Sequence, residues 1–207
     1  MTVQTIQQIF DEAVKRGVTT KTAEARTWYQ NMAMKTGVDT TKFIKEDLDR
    51  LQSKLNQFSI GRMYLFYYDA KLKNKPSQLP IWDRYPLIYP IDLQKDGFLG
   101  INLHYLPPKL RAVLMDNLDA IKNNKKYDDS TKLKISYGLL KSAARFKYFK
   151  PCIKKYLNNN VRSRFMYIKP NEWPLVVFLP LQKWVSKIGY TQGQVWADST
   201  KKASGRK

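Results

Sequence analysis

Residues 122–169 carry fourteen lysines and arginines and only two acids, Asp128 and Asp129. A stretch so one-sided cannot be folded inward, because burying an unpaired charge costs far more than a side chain returns. Its elements must therefore lie at the surface, apolar side chains turned in and cations turned out. Elsewhere the balance is close to even: residues 1–59 net +2, residues 60–121 net +2, residues 170–200 neutral, and residues 201–207 a basic tail of +4. More than half of the +20 excess thus sits in under a quarter of the 207-residue chain. A field of that sign and size draws in polyanions, with nucleic acid the commonest and an anionic membrane the next.

Apolar residues make up 43% of the chain and aromatics 13%, enough for a packed core and far from a disordered composition. The length suits one domain with a helical arm. A single cysteine, Cys152, allows no internal disulfide. The first residues, MTVQTIQQIFDEAVKRG, hold acids and no apolar run of signal-peptide length. Pro174–Leu181 is too short to span a bilayer. A protein kept in a reducing cytosol, or in something assembled there, is the expectation.

Periodicity divides the chain into a helical arm at 1–59, a mixed α/β body at 60–200 and the tail. In the arm, Ile6, Ile9, Phe10, Ala13 and Val14 define one helix. Trp28, Met32 and Ala33 define a second, and Phe43, Ile44, Leu48, Leu51 and Leu55 a third. The stripes need cover from the body or from a partner protein. In the body, IGRMYLFYYD reads as a strand and KLKNKPSQLP as a loop. YPLIYPID and FLGINLHYL read as two strands joined at Lys95-Asp96-Gly97. Pro107-Pro108 opens a helix with Leu110, Val113, Leu114, Leu118 and Ile121 on its inner face. The fold class is α+β: a small antiparallel sheet or partial barrel covered by helices.

Within the basic segment, Asp128, Asp129 and Ser130 suit a helix N-terminus, and the helix is expected to run to about Phe149. At 100° per residue, Ile135, Leu139, Ala143 and Phe146 form its inner stripe, widened by Leu140 and Ala144. Lys134, Lys141 and Arg145 lie opposite, flanked by Tyr137 and Tyr148. A further helix is expected over PCIKKYLNNNV, with Ile153, Tyr156 and Leu157 inside and Lys154 and Lys155 outside. RSRFMYIKP follows as a strand with Arg162 and Arg164 on one face, then WPLVVFLP as another. Short helices are expected at Lys183–Tyr190 and Gln194–Lys202.

Cations on one face displace the counterions condensed on a phosphate backbone, and arginines grip phosphate oxygens in pairs. The candidate DNA contacts are Lys134, Lys141, Arg145, Lys147, Lys150, Lys154, Lys155, Arg162 and Arg164. Tyr137 and Tyr148 are candidates for stacking on exposed bases, whereas Phe146, Tyr156 and Phe165 are expected in the core. A membrane surface fits less well, since the inner stripe of Ile, Leu and Ala suits core contact and no lipidation signal is present.

Catalysis finds little support, and no cofactor is expected. One Cys and one His, His104, cannot supply the usual four zinc ligands. No Gly-rich phosphate loop and no Gly-x-Ser-x-Gly occurs. The best enzymatic lead is a Mg²⁺ nuclease built on Asp69-Ala70-Lys71, completed by Asp83, Asp92 or Asp96. A turn explains that tripeptide equally well.

The segments IGRMYLFYYDAK, LPIWDRYPLIYPI, DGFLGINLHYLPPKLRAVLMDNL, YDDSTKLKISYGLL and ARFKYFKPCIKKYLNNNVRSRFMYIKPNEW resemble, in this order, the DNA end protector proteins of T4-like tailed phages. The resemblance spans roughly residues 60–180 and carries over no family site residue. It implies a minor head-completion protein that binds double-stranded DNA at genome ends. Such a protein resides in the virion head and in the host cytoplasm, and blocks host exonucleases sterically rather than chemically. Other phage head or neck proteins would be met by the N-terminal helices. A different class remains open: a structural neck or baseplate protein whose basic face meets an acidic protein.

Overall fold

The computed structural model describes residues 62–186 and 189–205, so the three expected N-terminal helices lie outside the described residues. Its centre is a five-stranded antiparallel sheet in the order β5-β4-β3-β1-β6. β1 is Met63–Leu65, β3 Leu87–Gln94, β4 Gly97–Asn102, β5 Ile153–Leu157 and β6 Met166–Ile168. β3 and β4 form the expected hairpin, turning at Lys95-Asp96 with Gln94 opposite Gly97. Gly97 has no substitute there, since a Cβ would collide with the backbone carbonyl of Tyr156 on β5. The ladder slips by one residue between Pro90 and Asp92, where proline has no N–H to give.

Side-chain alternation gives the sheet two apolar faces. Met63, Leu65, Leu87, Tyr89 and Ile101 share one core with Leu114, Met115 and Leu118 of helix α1 (Pro108–Lys122) and Leu140 and Ala143 of helix α2 (Asp129–Ala143). Trp173 and Val176 of the one-turn helix α3 (Trp173–Val176) join the same core. The other face is an aromatic layer of Tyr64, Phe66, Tyr68, Phe98 and Tyr156. Phe66 meets Tyr156 edge-on at 5.4 Å and Phe165 at 4.9 Å. Trp82 packs on this layer from β2 (Ile81–Asp83), which pairs with β7 (Trp184–Ser186) as a separate two-stranded ribbon.

α1 begins as expected, with Pro108 supplying a preset φ at a position that needs no N–H donor. Its phase is shifted: Ala112, Leu114, Met115 and Leu118 are buried, but Val113 is exposed and Leu110 and Ile121 only half-buried. Arg111 goes inward too, donating to the carbonyls of Val177 (2.5 Å) and Leu106 (3.0 Å). α4 (Gln192–Ser204) starts two residues earlier than expected, at a capping box in which Thr191 and Gln194 satisfy each other's backbone N–H groups. Gly205 then ends it at φ 69°.

Four expectations fail, two for a tertiary and two for a local reason. PCIKKYLNNNV is not a helix: after a 3-10 turn at Lys150–Cys152 it forms β5, which satisfies the otherwise open backbone edge of β4. WPLVVFLP is not a strand, because Glu172 accepts from the N–H of Lys169 at 2.9 Å and opens a helical turn into α3. Lys183–Tyr190 is not a helix, because Trp184–Ser186 pairs with β2 and the N–H of Lys183 is held by the buried carboxylate of Asp83. The basic helix ends at Ala143, not Phe149: the N–H groups of Arg145 and Phe146 bond only three residues back, to Ser142 and Ala143, and the chain leaves through tight turns.

Candidate nucleic-acid interface

α2 is set by its first residue. The side chain of Asp128 accepts the N–H of Thr131 at 2.6 Å, which also holds its carboxyl below the usual range. The helix then packs against α1 and β3, but not on the stripe that apolar count favours. Among the described side chains Ser136, Leu140 and Ala143 are buried, while Leu139 is half-buried and Ile135 and Phe146 are exposed at 36% and 64%. Leu140 and Ala143 belong to the expected stripe, but the buried face is centred roughly 70° from the middle of Ile135, Leu139, Ala143 and Phe146, at 100° per residue. Phe146, expected in the core, is at the surface; Tyr156 and Phe165 are packed as expected.

Of the cations of α2, Lys132 is half-buried. Lys134 and Lys141 are exposed, and the Lys141 ammonium stands 5.2 Å from the ring of half-buried Tyr137. The chain after α2 carries Arg145, Lys147 and Lys150, all exposed, with Lys147 at 5.2 Å from the Tyr148 ring. This turn is firmly held: the N–H groups of Arg145 and Phe146 bond to Ser142 and Ala143, and those of Phe149 and Lys150 both bond to Phe146.

β5 splits its two lysines. Lys155 is exposed and pairs with Asp96 at 2.9 Å; that hydrogen bond lowers the Asp96 carboxyl. Lys154, expected on the outside, instead lies 4.0 Å above the Tyr105 ring, and burial pulls its ammonium down to about 8. Strand alternation explains the difference, since Lys154 shares a face with buried Tyr156. Residues 158–165 then cross the aromatic layer, with Val161 and Phe165 packed on it. Ser163 accepts the N–H of Tyr67 at 2.8 Å, and Arg162 and Arg164 on either side are exposed. They precede β6 rather than lying in it.

Within residues 122–169, the exposed cations not among the expected DNA contacts are Lys125, Lys126 and Lys169. All sit in plain view of the charge count, but none falls on an expected helix face. Arg62, whose guanidinium covers the Tyr167 ring at 5.3 Å, gave no signal, because its partner lies across a β-pairing.

The four acids of the nuclease lead are held apart. Asp69 pairs with Lys73 at 2.6 Å, Asp96 with Lys155, and Asp92 is exposed. Asp83 is buried and saturated: it accepts from His104 Nδ1 (2.6 Å), Asn102 (3.3 Å) and the N–H groups of Tyr85 (3.0 Å) and Lys183 (3.2 Å). No group of three or more metal-ligating side chains occurs among the described residues. His104 is buried and bonded to Asp83. With Nδ1–H given to Asp83, its Nε2 is left without a partner, and burial depresses its pKa because a proton there would be an unpaired buried donor. Cys152 is buried and its thiol pushed up to about 12. No helix of the described residues is long and apolar enough to cross a membrane.

A mixed α+β body with a one-signed segment of exposed cations, and separately engaged acids, has the build of a polyanion-binding protein. The chain belongs to the phage T4 terminal DNA protecting protein family, whose model matches residues 3–199. That span extends the likeness beyond residues 60–180, into the N-terminal arm and through most of α4. Comparison with curated proteins and with solved structures gives no match. Family membership supports bacteriophage DNA as the partner and protection of its ends as the role, consistent with residence in the virion and the host cytoplasm.

Proposed function

We propose that this protein binds double-stranded DNA at the ends of a packaged phage genome and blocks exonucleases by occupying the terminus. One observation carries the reading. From Ser130 to Asn171 there is no acidic residue, and the cations there are exposed apart from half-buried Lys132 and Lys154. A steric cap needs tight backbone binding and no catalytic group, so affinity rests on counterion release to the phosphates. Lys134, Lys141, Arg145, Lys147, Lys150, Lys155, Arg162 and Arg164 are the contacts, with Lys154 stiffening β5 from within. Tyr137 and Tyr148, the stacking candidates of the sequence, stand beside Lys141 and Lys147. The protein acts in the virion head and, after injection, in the host cytoplasm. The N-terminal segment is the part that meets other head or neck proteins.

The test sets linear duplex DNA and saturating protein against a processive end-dependent exonuclease and, separately, an internal-site endonuclease. Digestion by the exonuclease is expected to stop at concentrations that leave the endonuclease unhindered. Equal protection from both identifies non-specific coating by a strongly basic protein, and undelayed exonuclease digestion removes the capping role altogether.

A further inference from the structure

Phe146 is the most exposed large apolar side chain among the described residues, at 64%. Unlike an exposed tyrosine, it has no hydroxyl to place in water, so among the described residues its exposure is an unrecovered hydrophobic cost. Its backbone does not let it swing away: its N–H bonds to Ala143 at 3.0 Å, and its carbonyl accepts from Phe149 at 3.0 Å and Lys150 at 3.3 Å. A ring on fixed backbone has only two side-chain torsions left to order, which makes it a low-entropy contact. Its neighbours Arg145 and Lys147 are exposed on both sides, and Lys150 lies at the end of the same turn.

A partner for this turn must be anionic at the rim and flat and apolar at the centre. The terminus of a duplex has that character: the last base pair exposes one π face, and the phosphates of both strands surround it. Tyr137 and Tyr148 compete poorly for that place, since each already has a lysine ammonium 5.2 Å from its ring centre. No cation or second ring lies against Phe146 in the contacts among the described residues. We infer that Phe146 is the ring that stacks on the terminal base pair of the bound DNA, with Arg145 and Lys147 on the flanking phosphates. This rests on the end-binding reading above and names its recognition residue. It also gives the end preference a cause, because an internal site has no free base-pair face to offer.

The experiment compares full-length protein with its Phe146→Ala and Phe146→Trp variants. Each is titrated against a blunt duplex with 2-aminopurine in the last base pair, and against the same sequence closed at both ends by hairpin loops. Wild type is expected to favour the open duplex and to change the 2-aminopurine emission. Phe146→Ala should lower that preference by roughly 5- to 150-fold, the range of one base–aromatic stack, with binding to the closed duplex unchanged. Phe146→Trp should retain it. Thermal unfolding of Phe146→Ala should match wild type, as suits an exposed ring; a marked drop makes Phe146 a packing residue and overturns the inference. It is also overturned if Phe146→Ala keeps the wild-type preference. The same holds if it weakens open and closed duplexes equally, or binds DNA normally while losing an anionic vesicle or an acidic protein. Absence of any end preference in wild type is a separate result and overturns the end-binding reading as well.

Discussion

Removing two cations from one helix face and its following turn measures how the charge is used. Of the nine cations expected to reach DNA, the structure leaves eight exposed and turns Lys154 onto the Tyr105 ring. If all eight reach phosphates, the logarithm of the binding constant falls with the logarithm of salt at a slope of about −7, at roughly 0.9 per phosphate neutralised. That is a ceiling, since Lys155 is already paired with Asp96. Lys141→Ala with Arg145→Ala should make the slope shallower by up to about 1.8. Stability should hold within about 0.5 kcal/mol, because both side chains are exposed. Lys154→Met serves as the control, with the slope unchanged. Fluorescence anisotropy with a labelled duplex over a salt series reads all three proteins. A wild-type line flat in salt refutes phosphate binding outright, and a double variant running parallel to wild type refutes the placement of Lys141 and Arg145.

Two further outcomes test the fold beneath that surface. Leu140→Ala, at a fully buried position, should cost on the order of 2–5 kcal/mol in chemical denaturation. Leu139→Ala, half-buried, should cost markedly less, and the reverse order would show that α2 faces the other way. Stability should also fall as pH drops below about 6.5, the ordinary histidine value. Burial lowers the folded pKa of His104, so the unfolded chain takes up a proton there that the native state refuses. A scan of Tm against pH for wild type and His104→Gln checks this, and equal slopes for the two proteins remove His104 as the cause.

The elements legible in the sequence are those whose signals are local. Lys95-Asp96-Gly97 turns the hairpin, Pro108 opens α1, Asp128 caps α2, and Thr191 with Gln194 starts the last helix; each is settled within a few residues. Two of the misread segments were decided at a distance. IKKYL becomes a strand because β4, fifty residues upstream, has an open edge; nothing within the pentapeptide requires it. Trp184–Ser186 is a strand because β2 lies a hundred residues before it and buried Asp83 holds the adjacent N–H. Propensity carries no information about either partner.

The cations of the candidate site were legible for a different reason: charge of one sign over forty residues is compositional and survives errors in secondary structure. Lys155, Arg162 and Arg164 are exposed whether their segment is helix or strand. Lys154 is the exception, because a strand alternates its faces and a helix would have left both lysines outside. The aromatic part of the surface had no such protection. Apolar count assigns Ile135, Leu139 and Phe146 to the core, yet the helix turns Ser136 inward and ends at Ala143, so Phe146 emerges in a cationic turn. The buried serine follows from the rotation of α2 and the exposed phenylalanine from its end at Ala143, and local hydrophobicity opposes both. A segment that keeps its ring in water against that preference departs from the consistency of the rest of the fold, and such departures concentrate where a protein meets its partner.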